Sequence, residues 1–200
     1  GNFSCIQSKG SDGTNGSDIM FSHLLSDSGK GDVIDKSYSV DFDELQISTS
    51  LKAEVYKSNE EKIVVYAPSD LMQYVVVKQE GRKVHVKIQS ERKLSISTDR
   101  IKIKVYARDF DRLVASSSGS ILLKDDFKFS DLDVKVSSSG NIKGNISGNN
   151  VTSSSADITI GVRTSLTASA SSSGDINVIK RGDLNKVTKN ESSSGSVNIR

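Results

Sequence analysis

Leu113-Val114-Ala115-Ser116-Ser117-Ser118-Gly119-Ser120-Ile121-Leu122-Leu123 is the stretch that decides the fold, because its centre keeps returning. Ser-Ser-Ser-Gly begins again at Ser137, Ser171 and Ser192, and a variant, Ser153-Ser154-Ser155-Ala156, lies between them. The copies start at residues 116, 137, 153, 171 and 192, so the steps are 21, 16, 18 and 21 residues. Two positions after each Gly (or Ala156) stands a β-branched residue: Ile121, Ile142, Ile158, Ile176 and Val197. Self-similarity at a period near 20 marks a repeat architecture, in which each unit buries its apolar face only by stacking on its neighbours.

Alternation and repeat run together from residue 113. Leu113, Ala115, Ser117, Gly119, Ile121 and Leu123 fall on one side, as do Leu132, Val134, Val136, Ser138, Gly140 and Ile142. Leu166, Ala168, Ala170, Ser172, Gly174, Ile176 and Val178 match them, whereas Thr152 and Glu191 break the rule in the third and fifth copies. Carried straight through each tetrad, this register points the middle serine inward. Ser117, Ser138, Ser154, Ser172 and Ser193 would then form a stacked ladder of hydroxyls at the ~4.8 Å strand spacing. Each unpaired buried hydroxyl would cost ~1–3 kcal/mol, so the ladder would have to be continuous. The following Gly supplies the positive φ or the close approach that a corner needs.

The chain before the repeats divides by composition. Residues 1–18 are rich in Gly, Ser and Asn without periodicity and read as a flexible tether. Residues 19–35 hold the apolar cluster Ile19-Met20-Phe21 with Leu24-Leu25 and are expected to cap one end of the fold. From 36 to 112 apolar residues alternate in short runs (Tyr38, Val40, Phe42; Leu45, Ile47; Val84, Val86, Ile88; Ile101, Ile103, Val105), the mark of half-buried strands. Glu80-Gly81-Arg82 separates two runs and predicts a tight turn, and Pro68 predicts another. The domain reading is therefore one all-β unit over 36–200, irregular over 36–112 and repetitive over 113–200, in which 16–21 residues make one turn of a β-helix.

The apolar fraction is 34%, low for a compact sphere but sufficient for a narrow column of core. Basic residues number 27 and acidic residues 25, spread along the chain, which reads as solvated mixed charge and not as a nucleic-acid footprint of clustered Lys and Arg. No apolar run approaches the ~18 residues needed to cross a bilayer as a helix. The chain opens at Gly1 without an initiator Met or apolar leader, as a processed chain does. Cys5 is the single cysteine, so no intramolecular disulfide forms. Phe3-Ser4-Cys5 followed by a polar tether fits a bacterial lipoprotein processing site, and fits equally a lone thiol in a tail. At the other end Arg200 follows directly on a strand pattern, so a further unit or a second copy is expected to cover it by end-to-end association.

These motifs together resemble the bacterial head GIN-domain family, described as an auto-transporter adhesin. The resemblance runs from Ser37 to Arg200 through Phe42-Asp43-Glu44-Leu45, Val65-Tyr66-Ala67-Pro68-Ser69-Asp70-Leu71, Gly81, Ile101-Lys102-Ile103-Lys104-Val105-Tyr106 and the repeats from Leu113. This chain has Ser-Ser-Ser-Gly where the family often has Ser-Gly-Ser-Gly, and Ala156 for one Gly, which bears on the corner of that copy alone. The resemblance implies a right-handed single-stranded β-helix (a β-solenoid) with N-terminal cap strands, an envelope location, and no established activity.

Candidate chemistry is sparse. The position after each Gly (or Ala156) forms a column of Ser120, Asn141, Asp157, Asp175 and Ser196. With adjacent copies in register, Asp157 and Asp175 stand ~5 Å apart and, with Asn141, suit a Ca²⁺ ion or a raised-pKa pair. The competing reading is that Asp and Asn are turn residues beside Gly. His23 and His85 are the two histidines, with no orienting acid in view for a serine nucleophile. Arg181-Gly182-Asp183 and five Asn-x-Ser/Thr sequons (Asn2, Asn15, Asn145, Asn150, Asn190) follow from a polar composition. Beyond Leu113 the aromatics are Phe127 and Phe129, so the repeats carry no aromatic stripe for sugar stacking. The tyrosines of the first half alternate with apolar residues and read as core or edge packing.

The expectation is a non-enzymatic cell-envelope module for adhesion or surface structure, without catalytic residues or cofactor, at the outer-membrane surface or in the periplasm. Its partner would be a surface or envelope component, a glycan or a protein, with no nucleic acid and with membrane attachment only through a lipid at Cys5. The alternative is a Ca²⁺-dependent polysaccharide-binding or lyase-like protein using the outward Asp column.

Overall fold

The computed structural model describes residues 6–7, 29–90, 96–154, 159–160, 165–170, 175–178, 186–191 and 196–199, with side chains described over 29–90, 96–128, 132–144 and at 198. Among these residues every regular element is a strand, apart from one 3-10 turn at Met72–Tyr74, and turns and short loops join them. The first half forms β1 (Ile6–Gln7), β2 (Val33–Ser39), β3 (Glu44–Ile47), β4 (Lys52–Lys57), β5 (Lys62–Pro68), β6 (Val75–Glu80), β7 (Lys83–Ile88), β8 (Lys102–Ala107) and β9 (Arg112–Ala115). The second half forms β10 (Ser120–Leu123), β11 (Phe127–Val136), β12 (Asn141–Lys143), β13 (Asn145–Ser154) and β14 (Thr159–Ile160). It ends with β15 (Ser165–Ala170), β16 (Asp175–Val178), β17 (Lys186–Glu191) and β18 (Ser196–Ile199).

These strands make mixed, open sheets. The larger runs β1-β6-β7-β3-β9-β11-β13-β15-β17, with β14 beside β13; the second runs β12-β10-β4-β8-β5-β2; and β16 pairs with β18. The repeat strands pair in parallel, whereas β2, β5 and β8 pair antiparallel, as do β6 and β7. Spatial order departs from chain order at the start. β3 lies between β7 and β9, with Leu45 opposite Val84 on one side and Leu113 on the other. β4 likewise lies between β8 and β10, with Val55 opposite Val105 and Leu123. The first strand–turn–strand segment therefore sits inside the stack, and the later segment β7–β8 lies beyond it.

The inward side of the alternation is the core. Phe42, Leu45, Ile47, Val55, Ile103, Leu113, Ile121 and Ile142 are fully buried between the two large sheets. Each such side chain contributes roughly 1.5–3 kcal/mol of burial, which is how a chain of low apolar content holds together. Tyr38, Val40, Val84, Val86, Ile101 and Val105 take the buried places that alternation assigns them. Gly81, with φ of 58°, makes the turn between β6 and β7. The apolar cluster at 19–25 lies outside the described residues.

The tetrads correct the sequence register. Ser117 and Ser118 have φ of 48° and 64°, and Ser138 and Ser139 have 48° and 66°. The Gly119 amide donates to the Ser116 carbonyl at 2.9 Å and the Gly140 amide to the Ser137 carbonyl at 3.0 Å. Two left-handed residues closed by such a bond are the signature of a type I′ turn. Thr49 and Ser50, with φ of 56° and 60°, make a third such turn, closed by Leu51 donating to Ser48. Ser117 and Ser138 are exposed, not inward. Alternation fails there because two successive positive φ values reverse the chain and swing both side chains outward. A ladder does exist, but backbone amides make it: Ser50 donates to the Ser117 carbonyl at 3.0 Å and Ser118 to the Ser138 carbonyl at 2.9 Å. The side chain of Ser154 and the whole of Ser172 and Ser193 lie outside the described residues. Gly119 and Gly140 serve the close approach of neighbouring backbones, and neither has a positive φ.

Candidate binding face

One lysine–tyrosine spacing occurs three times: Lys52 with Tyr56, Lys62 with Tyr66, and Lys102 with Tyr106. Four residues apart on a strand is the same side, and these strands, β4, β5 and β8, are neighbours in the six-stranded sheet. Their partners at the odd positions are buried, so all six side chains belong to the outer face. Strand direction then sets who meets whom. β4 and β8 are parallel, so Tyr56 stands opposite Tyr106 and the rings stack with centroids 5.4 Å apart and planes 21° from parallel. β5 is antiparallel to β8, which puts Lys62 opposite Tyr106 and Tyr66 opposite Lys102. The Lys62 ammonium lies 5.3 Å from the centre of the Tyr106 ring, and Lys104 lies 5.9 Å from Tyr56 and 5.5 Å from Tyr66. Each such cation–π contact at a surface is worth about 0.5–1 kcal/mol.

The face continues across β10 and β12. Glu54 stands opposite Leu122, and Leu122 opposite Lys143; one row over, Lys52 stands opposite Ser120, and Ser120 opposite Asn141. Six lysines gather here, at 52, 62, 102, 104, 124 and 143, against Glu54 and, at the β2 edge, Asp35. The Glu54 carboxylate lies 3.7 Å from Lys102 and 3.8 Å from Lys124 and accepts from the Tyr56 hydroxyl at 3.3 Å. Burial chiefly, and then the negative charge of Glu54, raises the Tyr56 phenol above its ordinary pKa, with Lys104 opposing. Charge that is evenly spread along the chain is thus gathered on the folded surface.

A cleft of about 410 Å³ opens into this face between Asp99–Lys102 and the strands β4, β10 and β12. Lys52, Arg100, Lys102 and Lys143 line it against the acids Glu54 and Asp99, with Ser120 and Asn141, over Ile101 and Leu122. Leu122 is 37% exposed and, with Val33 and Ile34, is one of three large apolar side chains open to solvent among the described residues.

The outer face of the ten-stranded sheet differs. Lys83, Glu44, Arg112 and Asp133 form a chain of ion pairs at 3.4, 3.7 and 3.4 Å, so charges of both signs alternate. His85 Nε2 and Ser48 Oγ lie 2.7 Å apart. Burial, and then Lys87, Lys83 and Lys78, lower the imidazole pKa to about 4, so it is neutral at physiological pH. Among the described residues the ring makes no hydrogen bond to a carboxylate of the kind that orients the base of a serine nucleophile.

Of the residues singled out in the sequence, Asn141 is half-buried, stands beside Ser120 and lines the cleft. Asp175 is opposite Ser196 in β16 and β18, which keeps the expected column in register there. Asp157, Cys5, His23 and Arg181-Gly182-Asp183 lie outside the described residues. Among the described residues no three of His, Cys, Asp and Glu come together as metal ligands. Of the tyrosines read as core or edge packing, Tyr38 is core, and Tyr56, Tyr66 and Tyr106 are half-buried on the outer face, where Tyr56 packs on Tyr106. The spacing of four between Lys and Tyr, repeated on three strands, was the available signal.

The sequence matches, over residues 41–199, the family described as "Putative auto-transporter adhesin, head GIN domain". No curated protein matches it. Solved structures share the fold at low identity. A "putative adhesin" from Bacteroides fragilis superposes with a TM-score of 0.59 at 15% identity, covering 88% of this chain and 100% of that one. A "Putative lipid binding protein" from Parabacteroides distasonis gives 0.53 at 19%, covering 88% and 99%. A "putative adhesin" from Parabacteroides merdae gives 0.54 at 12%, covering 88% and 99%.

Proposed function

This chain belongs to the head GIN-domain family, and from that premise we propose that it is a non-enzymatic module of the cell envelope serving adhesion or surface structure. The observation that carries the reading is the outer face of the six-stranded sheet, where lysines and tyrosines are held in fixed rows by strand register. A broad, regular polar face suits an extended or repetitive partner, a surface glycan or protein. In this reading the strand–turn–strand units continue as a right-handed β-solenoid, residues 1–18 act as its tether apart from Ile6–Gln7, which pair with β6, and Cys5 carries a lipid. Protease accessibility on intact cells, with lysed cells as control, tests it. Digestion on intact cells supports a surface adhesive role; protection until lysis overturns direct adhesion and leaves a periplasmic structural role.

A second reading, a Ca²⁺-dependent polysaccharide-binding or lyase-like protein, draws support from the register of Asp175 with Ser196 and of Asn141 with Ser120. It requires Asp157 to join them. Thermal unfolding in Ca²⁺ and in EDTA, repeated on Asp157→Ala/Asp175→Ala, decides: a metal-dependent shift that the variant loses supports it, and no shift in either protein removes it.

A further inference from the structure

We infer that the lysine–tyrosine face and its cleft bind an acidic polysaccharide, one bearing carboxylate or sulfate groups at repeating intervals. The inference deepens the adhesive reading above and rests on it. Charge argues first. Lys52 and Lys143 flank the cleft and make no ion pair among the described residues, while Glu54, the acid at the centre of the face, is already engaged by Lys102, Lys124 and Tyr56. The four cations that line the cleft (Lys52, Arg100, Lys102 and Lys143) outnumber its two acids, Glu54 and Asp99, and excess positive charge beside a concave surface raises the local concentration of an anionic ligand.

The shape of the surface narrows the class. Lys62, Lys104 and Lys124 continue the charge across neighbouring strands beyond the cleft, so the ligand is extended and repeats its charge. The cleft, about 410 Å³, is within the range of small-molecule sites and takes a unit that projects from that chain. It offers the Ser120 hydroxyl and the Asn141 amide beside the apolar surface of Leu122 and Ile101, which matches a sugar ring with hydroxyls at its edge and C–H groups on its face. A flat lipid surface would leave the cleft unfilled. Single-stranded nucleic acid is held by stacking its bases on open aromatic faces, but here Tyr56 and Tyr106 cover each other and lysines lie over Tyr56, Tyr66 and Tyr106. The ring faces are spent on fixing the ammonium groups.

The test is affinity electrophoresis of the full chain, in EDTA, through gels containing polygalacturonate, heparin or neutral dextran, with single-stranded DNA and phosphatidylglycerol vesicles as competitors. The expected result is retardation by polygalacturonate or heparin, weakened by salt and absent in dextran, that neither competitor relieves at equal charge. Lys52→Gln/Lys102→Gln/Lys143→Gln should weaken it about tenfold, from three exposed ion pairs at the usual strength. Lys87→Gln/Lys135→Gln on the opposite sheet should leave it unchanged. If the triple variant unfolds early, Lys143→Gln alone should still weaken retardation measurably. The inference is overturned by no retardation in either acidic polymer, by equal retardation of the cleft variants, or by stronger binding to DNA or vesicles. Its failure is separable from that of the adhesive reading: a surface-exposed chain that ignores acidic polymers removes only the inference, and a protected chain that binds them removes only surface adhesion.

Discussion

Gly119 lies against the backbone of Ile47: a Cβ placed on it would stand 2.7 Å from the Ile47 carbonyl carbon and 2.9 Å from Ser48 Cα. Gly140 repeats the relationship one unit on, against the Ala115 carbonyl at 2.6 Å. Backbone cannot retreat as a flexible side chain can, and the Ser116 amide is bonded to that same Ile47 carbonyl at 3.0 Å. Gly119→Ala should therefore lower stability by about 3 kcal/mol, the upper end of the usual overpacking cost. A calorimetric melting point unchanged from the parent would show that neighbouring units are not stacked this tightly.

The exposed left-handed serines predict an unusual order of tolerance. Ser138 sits at φ 48°, where a β-branched side chain is strongly disfavoured and Asn is comparatively at ease. Ser138→Lys should be nearly neutral, Ser138→Asn neutral or stabilising by up to about 1 kcal/mol, and Ser138→Val the most damaging of the three. Urea unfolding of the set checks this. A Val variant more stable than the Lys variant would return the serine to the interior.

His85 makes stability depend on acid. Its folded pKa of about 4 lies below the ~6.5 of an unfolded histidine, so the unfolded chain takes up the proton first as pH falls. This group's contribution should be level above about pH 6.5, decline between there and pH 4, and level again below. Allowing for solvent screening of a half-buried ring, the loss is on the order of 1 kcal/mol. His85→Gln should flatten that window in a pH series of unfolding curves, and an unchanged slope would mean that the imidazole titrates normally.

Glu54 and Tyr56 can be separated by titration. Because burial outranks the Glu54 charge in raising the Tyr56 phenol, Glu54→Gln should bring that phenol down only part of the way toward its ordinary value. Alkaline difference spectra should show one tyrosine ionising earlier than in the parent. The stability change should stay within about 1 kcal/mol, as for other exposed pairs. No change in the titration would detach Glu54 from the ring.

Much of this was legible in the residues. Phe42, Leu45, Ile47, Ile103, Leu113 and Ile121 are buried where alternation puts them, because side-chain direction in a strand is fixed by parity alone. Gly81 marked its turn, and the tetrads marked theirs. Among the described residues parity misled at Ser117 and Ser138, where positive φ at two successive positions breaks the rule that parity depends on. The lysine–tyrosine face was half visible: Lys52, Tyr56, Lys62, Tyr66, Lys102 and Tyr106 share a parity opposite to the core, but parity does not say that the three strands are neighbours.

Sequence alone determined that the chain is all-β, that it turns at Gly81 and at the tetrads beginning at Ser116 and Ser137, and which side of each strand is apolar, since these depend on neighbours within a few residues. Only the tertiary structure decided that β3 and β4 lie between segments that follow them in the chain, and that β5 runs against β8 while β4 runs with it. Strand order and direction are set by which apolar edges pair across tens of residues, and a local pattern carries no information about that. Those two facts turn three separate Lys–Tyr pairs into one surface with tyrosine on tyrosine and lysine on tyrosine.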